Sequence, residues 1–327
     1  MTEKRNNRRY IVLVTIALCV MISNKSYGQE FFAPIQNQYI ADNPYLISSA
    51  YAGIGNCWQV RASGFEQWVN IPESPSTQSL SVDGRITDRS GVGGTLFNDK
   101  NGETSQKGIQ LSFAHHLTLS GDEQYLSFGL SYKYTQFTIS SNGFTNGNPD
   151  NPINPGLENI RVTDSNFDIG VLYRLGRFFL NVNAINLLNK KIDDFSATEP
   201  TSIRNYYVYS GYTFNGANRD LEIEPSILYQ NFIGDGRSTS DFNLKVRKMH
   251  RGDYYWAGLS LRTLIDQDFK PLSLSPMIGT KKRNFYIAYG YQVNLNEIYN
   301  ASTLAGSHLI TLGIDFSCRK SKCGCTY

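Results

Sequence analysis

After residue 28 the chain has no apolar run approaching the roughly 20 residues that cross a bilayer as a helix. Its mean hydropathy of −0.34 is far too low for a bundle of such helices. Histidine is scarce: His115, His116, His250 and His308 are the four in 327 residues, and none has metal-ligand or triad spacing to another. His115 and His116, adjacent in an extended stretch, would point to opposite faces and could not serve one site. The only glycine-rich run that could suggest a phosphate loop, Gly91-Val92-Gly93-Gly94, leads into a strand pattern and not a helix. No nucleophile and base can be assembled, so no catalysis, metal or cofactor is expected.

Net charge is nearly absent as well. Met1 to Gly28 has the form of a signal peptide, with Lys4, Arg5, Arg8 and Arg9 before a short apolar core and Ser26-Tyr27-Gly28 at the cleavage end. Removing it takes five of the 31 basic residues and one of the 28 acidic ones, which leaves 26 against 27, a net −1. The apparent basicity belongs to the export signal, and no electrostatic case exists for nucleic acid.

What the sequence has in quantity is aromatics, 21 Tyr and 18 Phe, and 28 Gly. They fall in segments of period two. In Ala305 to Phe316, Ile310, Leu312, Ile314 and Phe316 share one face, and Ser307, Leu309, Thr311, Gly313 and Asp315 the other, mostly polar one. Asn284 to Val293 repeats the pattern with Phe285, Ile287, Tyr289, Tyr291 and Val293. One face suits lipid and the other a wet interior, and a sheet that crosses a bilayer must close on itself. The expected fold is all-β: a transmembrane antiparallel up-and-down β-barrel of about 14 strands between residues 58 and 316. Residues 29–57 are read as a periplasmic segment before it, and 317–327 as a Cys-rich periplasmic tail.

The connections alternate in kind. Tight polar turns are expected around Asp88 to Gly91, Ser120 to Glu123, Gly176, Asn215 to Asp220, Arg247 to Asp253 and Lys281 to Arg283. Longer loops come between them, including Asn98 to Lys107, Ser140 to Ser165 and Asn186 to Arg204. Short turns on one side and long loops on the other mark a bacterial outer-membrane barrel and not a soluble sandwich, with both termini on the periplasmic side. Loop Ser140 to Ser165, stiffened by prolines, offers Phe144 and Leu157 as contacts for a partner; equally, it could simply cover the barrel mouth.

Register follows from the cost of charge in lipid, about 2 to 4 kcal/mol for an Arg or Lys at the midplane. Leu111, Phe113, Leu126, Phe128, Leu130, Tyr132, Phe167, Ile169, Val171 and Tyr173 are placed outward. Asp83, Arg85, Lys133, Asp168, Arg174, Glu222, Glu224, Lys245 and Arg262 are placed inward as a lumen charge network of mixed sign. Paired across a narrow barrel, these charges would pack the lumen; a polar porin constriction is the competing arrangement. Four cysteines remain after the signal peptide. Cys57 precedes the first strand and Cys318 follows the last, strands that become neighbours on closure, so Cys57 is expected to bond Cys318 or one of Cys323 and Cys325. A four-thiolate zinc site is one rival, disfavoured by the tight spacing of Cys323 and Cys325, and ordinary unpaired thiols are the other alternative.

Several stretches also carry a family likeness. They are Asn43-Pro44 through Ala50-Tyr51-Ala52-Gly53, Ser76 to Gly84, Gly91 to Lys100, Leu126-Ser127-Phe128-Gly129-Leu130, Phe167-Asp168-Ile169-Gly170 and Gly306-Ser307-His308. Together they resemble the PorP/SprF family of type IX secretion system membrane proteins over nearly the whole mature chain. The family pattern Asn-Pro-Ala-Tyr-Ala-Gly is interrupted here by Tyr45 to Ser49. The resemblance implies an integral outer-membrane barrel of Bacteroidetes-type bacteria, serving secretion and gliding motility without catalysis. Implied partners are a secreted cargo protein such as a cell-surface adhesin, periplasmic ring and peptidoglycan-binding components, and outer-membrane lipid. The alternative is a transport barrel, a porin or hydrophobic-solute channel.

Overall fold

The computed structural model describes residues 37–69, 73–120, 123–140, 160–188, 204–216, 220–233, 236–295 and 306–318. Among them fourteen antiparallel strands form one sheet in sequence order: β1 Trp58–Gln67, β2 Ser76–Arg85, β3 Ser90–Asn101, β4 Thr104–Ser120, β5 Gln124–Ile139, β6 Ile160–Leu175 and β7 Phe178–Ile185. These are followed by β8 Asn205–Tyr212 with its continuation Phe214–Asn215, β9 Leu221–Phe232, β10 Ser238–His250, β11 Asp253–Leu264, β12 Lys270–Lys282, β13 Phe285–Asn294 and β14 Gly306–Phe316. The sheet closes because β14 pairs with β1, from Trp58↔Phe316 to Gln67↔Ser307. Closure leaves no unsatisfied edge between first and last strand, as a bilayer requires. No helix of the described residues is long and apolar enough to span.

Alternation holds around the ring. In β5, Phe128, Leu130 and Tyr132 are exposed on the outer wall, while Ser127, Ser131 and Lys133 are buried inside. In β14, Ile310, Leu312, Ile314 and Phe316 face out, and Thr311 and Asp315 face in. One expected loop is absent. Residues Asn98 to Lys107 are mostly strand: β3 and β4 pair as far as Asn101↔Thr104, with Gly102, at φ 58, and Glu103 making the turn. β6 likewise begins at Ile160, six residues before the expected Asn166. Strands β4, β5 and β6 are 17, 16 and 16 residues long, against the roughly 9–11 that span hydrocarbon. Beyond the hydrocarbon the outward positions need not be apolar, so these extensions carry Lys107, Arg161 and Thr163 and resemble loop in composition.

The segment before β1 holds the largest departure from expectation. Residues 37–55, read from the sequence as periplasmic and outside the barrel, lie inside it. The principal apolar core is therefore lumenal. Tyr39, Ile40, Tyr45, Ile47, Ala50, Tyr51, Ala52 and Ile54 from this segment pack against inward residues that include Leu172, Tyr207, Tyr209, Trp256, Met277 and Tyr286. A stretch this apolar cannot rest in water, and the barrel interior is the nearest dry volume.

Candidate functional site

Residues 37–55 form a plug built from three short 3₁₀ turns, Asn37–Ile40, Pro44–Leu46 and Ser49–Tyr51. Pro44 fixes the start of the second, where its missing N–H costs nothing. Ser48 caps the third by accepting from the Ala50 amide at 3.2 Å.

At one end Asp42, with φ 53, meets two strands, β10 and β11. Its carboxylate pairs with Lys245, with Arg247 at 2.7 Å, and accepts from the Tyr254 hydroxyl at 2.9 Å. Lys245 also donates to the Ile40 carbonyl at 2.8 Å, and Arg247 reaches on to Glu222 at 2.9 Å. Burial alone would raise the Asp42 carboxyl; the Lys245 and Arg247 cations outweigh it and hold the group well below the usual carboxylate range. Next to it the Tyr39 hydroxyl donates to Asp241 at 2.9 Å, and Asp241 is held by Arg262 through two bonds of 2.6 and 2.8 Å.

The centre is held by neutral groups. Asn43 donates to Ser81 at 3.0 Å, Asn181 to Ser48 at 3.0 Å, and Asn183 to the Ile47 carbonyl at 2.8 Å. The Tyr45 hydroxyl donates to Ser112 at 2.9 Å. Burial pushes that phenol up to about 12, so it remains a donor at any physiological pH. At the exit the Gly53 amide donates to Asp83 at 2.9 Å, and Arg85 donates to the Gly55 carbonyl at 3.0 Å. His116 Nε2 lies 3.1 Å from the Ala52 carbonyl and its Nδ1 2.7 Å from Ser127, so a neutral ring donating through Nε2 satisfies both. The chain then turns into β1 through Cys57, which the structure joins to Cys318 across the seam, with Cα atoms 3.9 Å apart. Beside it Arg61 and Asp315 pair at 2.7 Å, each 2 % exposed, with Lys281 on the same carboxylate.

The nine charged residues assigned to the lumen all belong to inward positions, but they do not form one network across an empty bore. Lys133 and Asp168 pair at 2.9 Å. Asp83, Arg85 and Lys245 engage the plug, Glu222 and Arg262 pair with Arg247 and Asp241, Glu224 accepts from Thr213 at 3.2 Å, and Arg174 lies over the Tyr125 ring. The sequence reading missed Asp42, Tyr39, Asp241, Arg247, Asn181, Asn183 and the Arg61–Asp315 pair. A usable signal was present in the small residues on the inner face. Gly91, Gly93, Gly129 and Gly170 leave no side chain where an empty barrel would need bulk, and each abuts the plug. Phe144, Leu157, Cys323, Cys325 and the signal peptide lie outside the described residues.

The stretches that carry the family likeness converge here: Asn43 to Gly53 is the plug, and Ser81 to Gly84, Gly91 to Gly93, Gly129 and Gly170 are its bed. No curated protein matches this sequence. Among solved structures, the Ralstonia pickettii toluene transporter TbuX is 10% identical, with 82% of this chain and 91% of that one covered at a TM-score of 0.45. The β domain of the Bordetella autotransporter BrkA is 13% identical, with 80% and 98% covered at 0.38. Likeness at this level is one barrel to another and says nothing of function. Residues 29–314 match the model of the type IX secretion system membrane protein PorP/SprF, and the chain belongs to that family, as an integral barrel of the outer membrane.

Proposed function

We propose that this barrel is a non-catalytic component of the type IX secretion and gliding apparatus that anchors, or helps to deliver, a secreted cell-surface protein such as an adhesin. The observation that carries the reading is the occupied lumen. A segment of the chain's own sequence lies in the bore and is bonded to the wall at both ends and along its middle. Such a bore suits a scaffold better than a channel, and the working surfaces are then the loop-side and short-turn ends. The ledge raised by β4 to β6 enlarges the first of these. Membership in a secretion family supplies the partner class: components of that secretion system and the proteins it exports.

The test is recovery of partners. A tag after Tyr327, gentle extraction from native outer membranes and mass spectrometry should yield a large secreted protein for a dedicated anchor, or ring and peptidoglycan-binding components for a core role. A barrel recovered alone, with solute-dependent conductance in planar bilayers, would count against the proposal and for transport.

A further inference from the structure

On the loop side of the plug the lumen keeps a cavity of about 80 Å³. Leu46 and Ile47 of the plug form its floor, and the loop-side ends of β2 to β8 form its walls. Three rings, Tyr39, Phe97 and Tyr207, line it, together with Gln106 and Gln110. Its charged lining residues, Lys133 and Asp168, neutralise each other at 2.9 Å.

The volume decides between classes of occupant. Sites that enclose a metabolite measure roughly 300–1,000 Å³, so this cavity is too small for a transported solute and about right for one side chain. Its neutrality disfavours a charged group, which would lose hydration and gain no counter-ion. A ringed pocket of this size, framed by strands that hold their side chains rigidly, is what a single buried anchor residue at a protein interface occupies.

We infer that the cavity is a socket for one uncharged aromatic or aliphatic side chain carried by the secreted partner. The inference rests on the anchoring role proposed above and names where the partner is gripped.

The experiment fills the socket in the full-length barrel in its native membrane. Ser79→Trp on β2 and Thr135→Trp on β5 both change residues that line the cavity, and neither is among the plug contacts named above. Leu80→Trp, on the outer wall, is the control. Folding is read from heat-modifiable migration, and the copurified secreted protein is quantified against wild type. The expected result is at least a tenfold loss of secreted protein with both socket variants and none with the control. If either tryptophan prevents folding, Ser79→Leu or Thr135→Leu takes its place under the same criterion. Folded socket variants that recover the partner at wild-type level would overturn the inference and leave the anchoring role standing. A wild-type barrel that recovers no secreted protein would overturn both. A photo-crosslinker at position 79 supplies the second readout: the crosslinked partner peptide should be uncharged at its attachment point, and a charged one would refute the socket.

Discussion

A Cβ built on Gly91 would stand 2.2 Å from the carbonyl oxygen of Ala52, nearer than any real contact allows. The plug therefore lies with its main chain directly on the main chain of β3. The same closeness recurs at Gly129, where a Cβ would be 2.3 Å from the Ala50 amide nitrogen, and at Gly170, 2.2 Å from Ser48 Oγ. Inner-wall glycines on three strands thus form a bed with the depth of a missing side chain.

Gly91→Val and Gly129→Leu should lift the plug out of that bed. The obstruction at both positions is backbone, which cannot swing aside, and overpacking of this kind costs about 1–3 kcal/mol. In planar bilayers the wild-type barrel should be electrically silent and each variant should show discrete openings. Porin-sized steps from the wild type would mean that the plug does not seal the bore.

Asp42→Asn should loosen the other end. The carboxylate's pKa is depressed in the folded protein, so its stabilisation is fully present above the unfolded value of about 3.9 and is lost as pH falls below that toward the folded value. The amide removes the carboxylate that Lys245 and Arg247 share in a buried setting, a loss of about 3 kcal/mol. Single-barrel recordings at pH 7 and pH 3.5 check this. Wild type should open more often only at the lower pH, and the variant should open at both.

The wall was legible in the sequence because lipid enforces alternation: Ile310, Leu312 and Ile314 cannot face anything else. The rule ceases to apply outside the hydrocarbon, which is why Asn98 to Lys107 reads as loop and is strand. The plug obeys no period. Residues from Tyr39 to Ile54 are apolar in short turns, each facing a different strand, and local pattern could not reveal a partner some 200 residues away such as Lys245. The lumenal charges were placed on the correct face by the cost of exposing them to lipid. Three of them, Asp83, Arg85 and Lys245, meet the segment assigned elsewhere, and the others meet wall residues that only the strand register sets beside them.

Leu130→Arg tests the register itself. Leu130 sits mid-strand on the outer wall, 49 % exposed, while its neighbour Ser131 is buried at 1 %. An arginine there meets hydrocarbon and should lower membrane folding stability by about 2–4 kcal/mol, measured by urea refolding into lipid vesicles. Leu80→Ala, which stays apolar on the same outer face, should have little effect. Equal effects from both would indicate that β5 is not lipid-facing as assigned.

The seam gives the last prediction. Cys57 and Cys318 are 261 residues apart in sequence and meet where β1 and β14 close the ring. A crosslink over so long a loop removes much of the unfolded chain's freedom, and by the chain-entropy estimate such bridges contribute about 2–4 kcal/mol. Here it also ties the end of the plug to the last strand, since only Gly55 and Asn56 separate Ile54 from Cys57. A non-reducing peptide map of native membranes should recover Cys57 and Cys318 in one linked pair. Cys57→Ser should shift the urea midpoint downward and raise the opening frequency of the barrel together, because the same bond holds the seam and the plug's exit. If it lowers the midpoint while the barrel stays silent, the plug is held by Asp83, Arg85 and His116 without help from the disulfide. If all four cysteines of the mature chain map as free thiols, the seam is closed by the β1–β14 ladder and the Arg61–Asp315 pair alone.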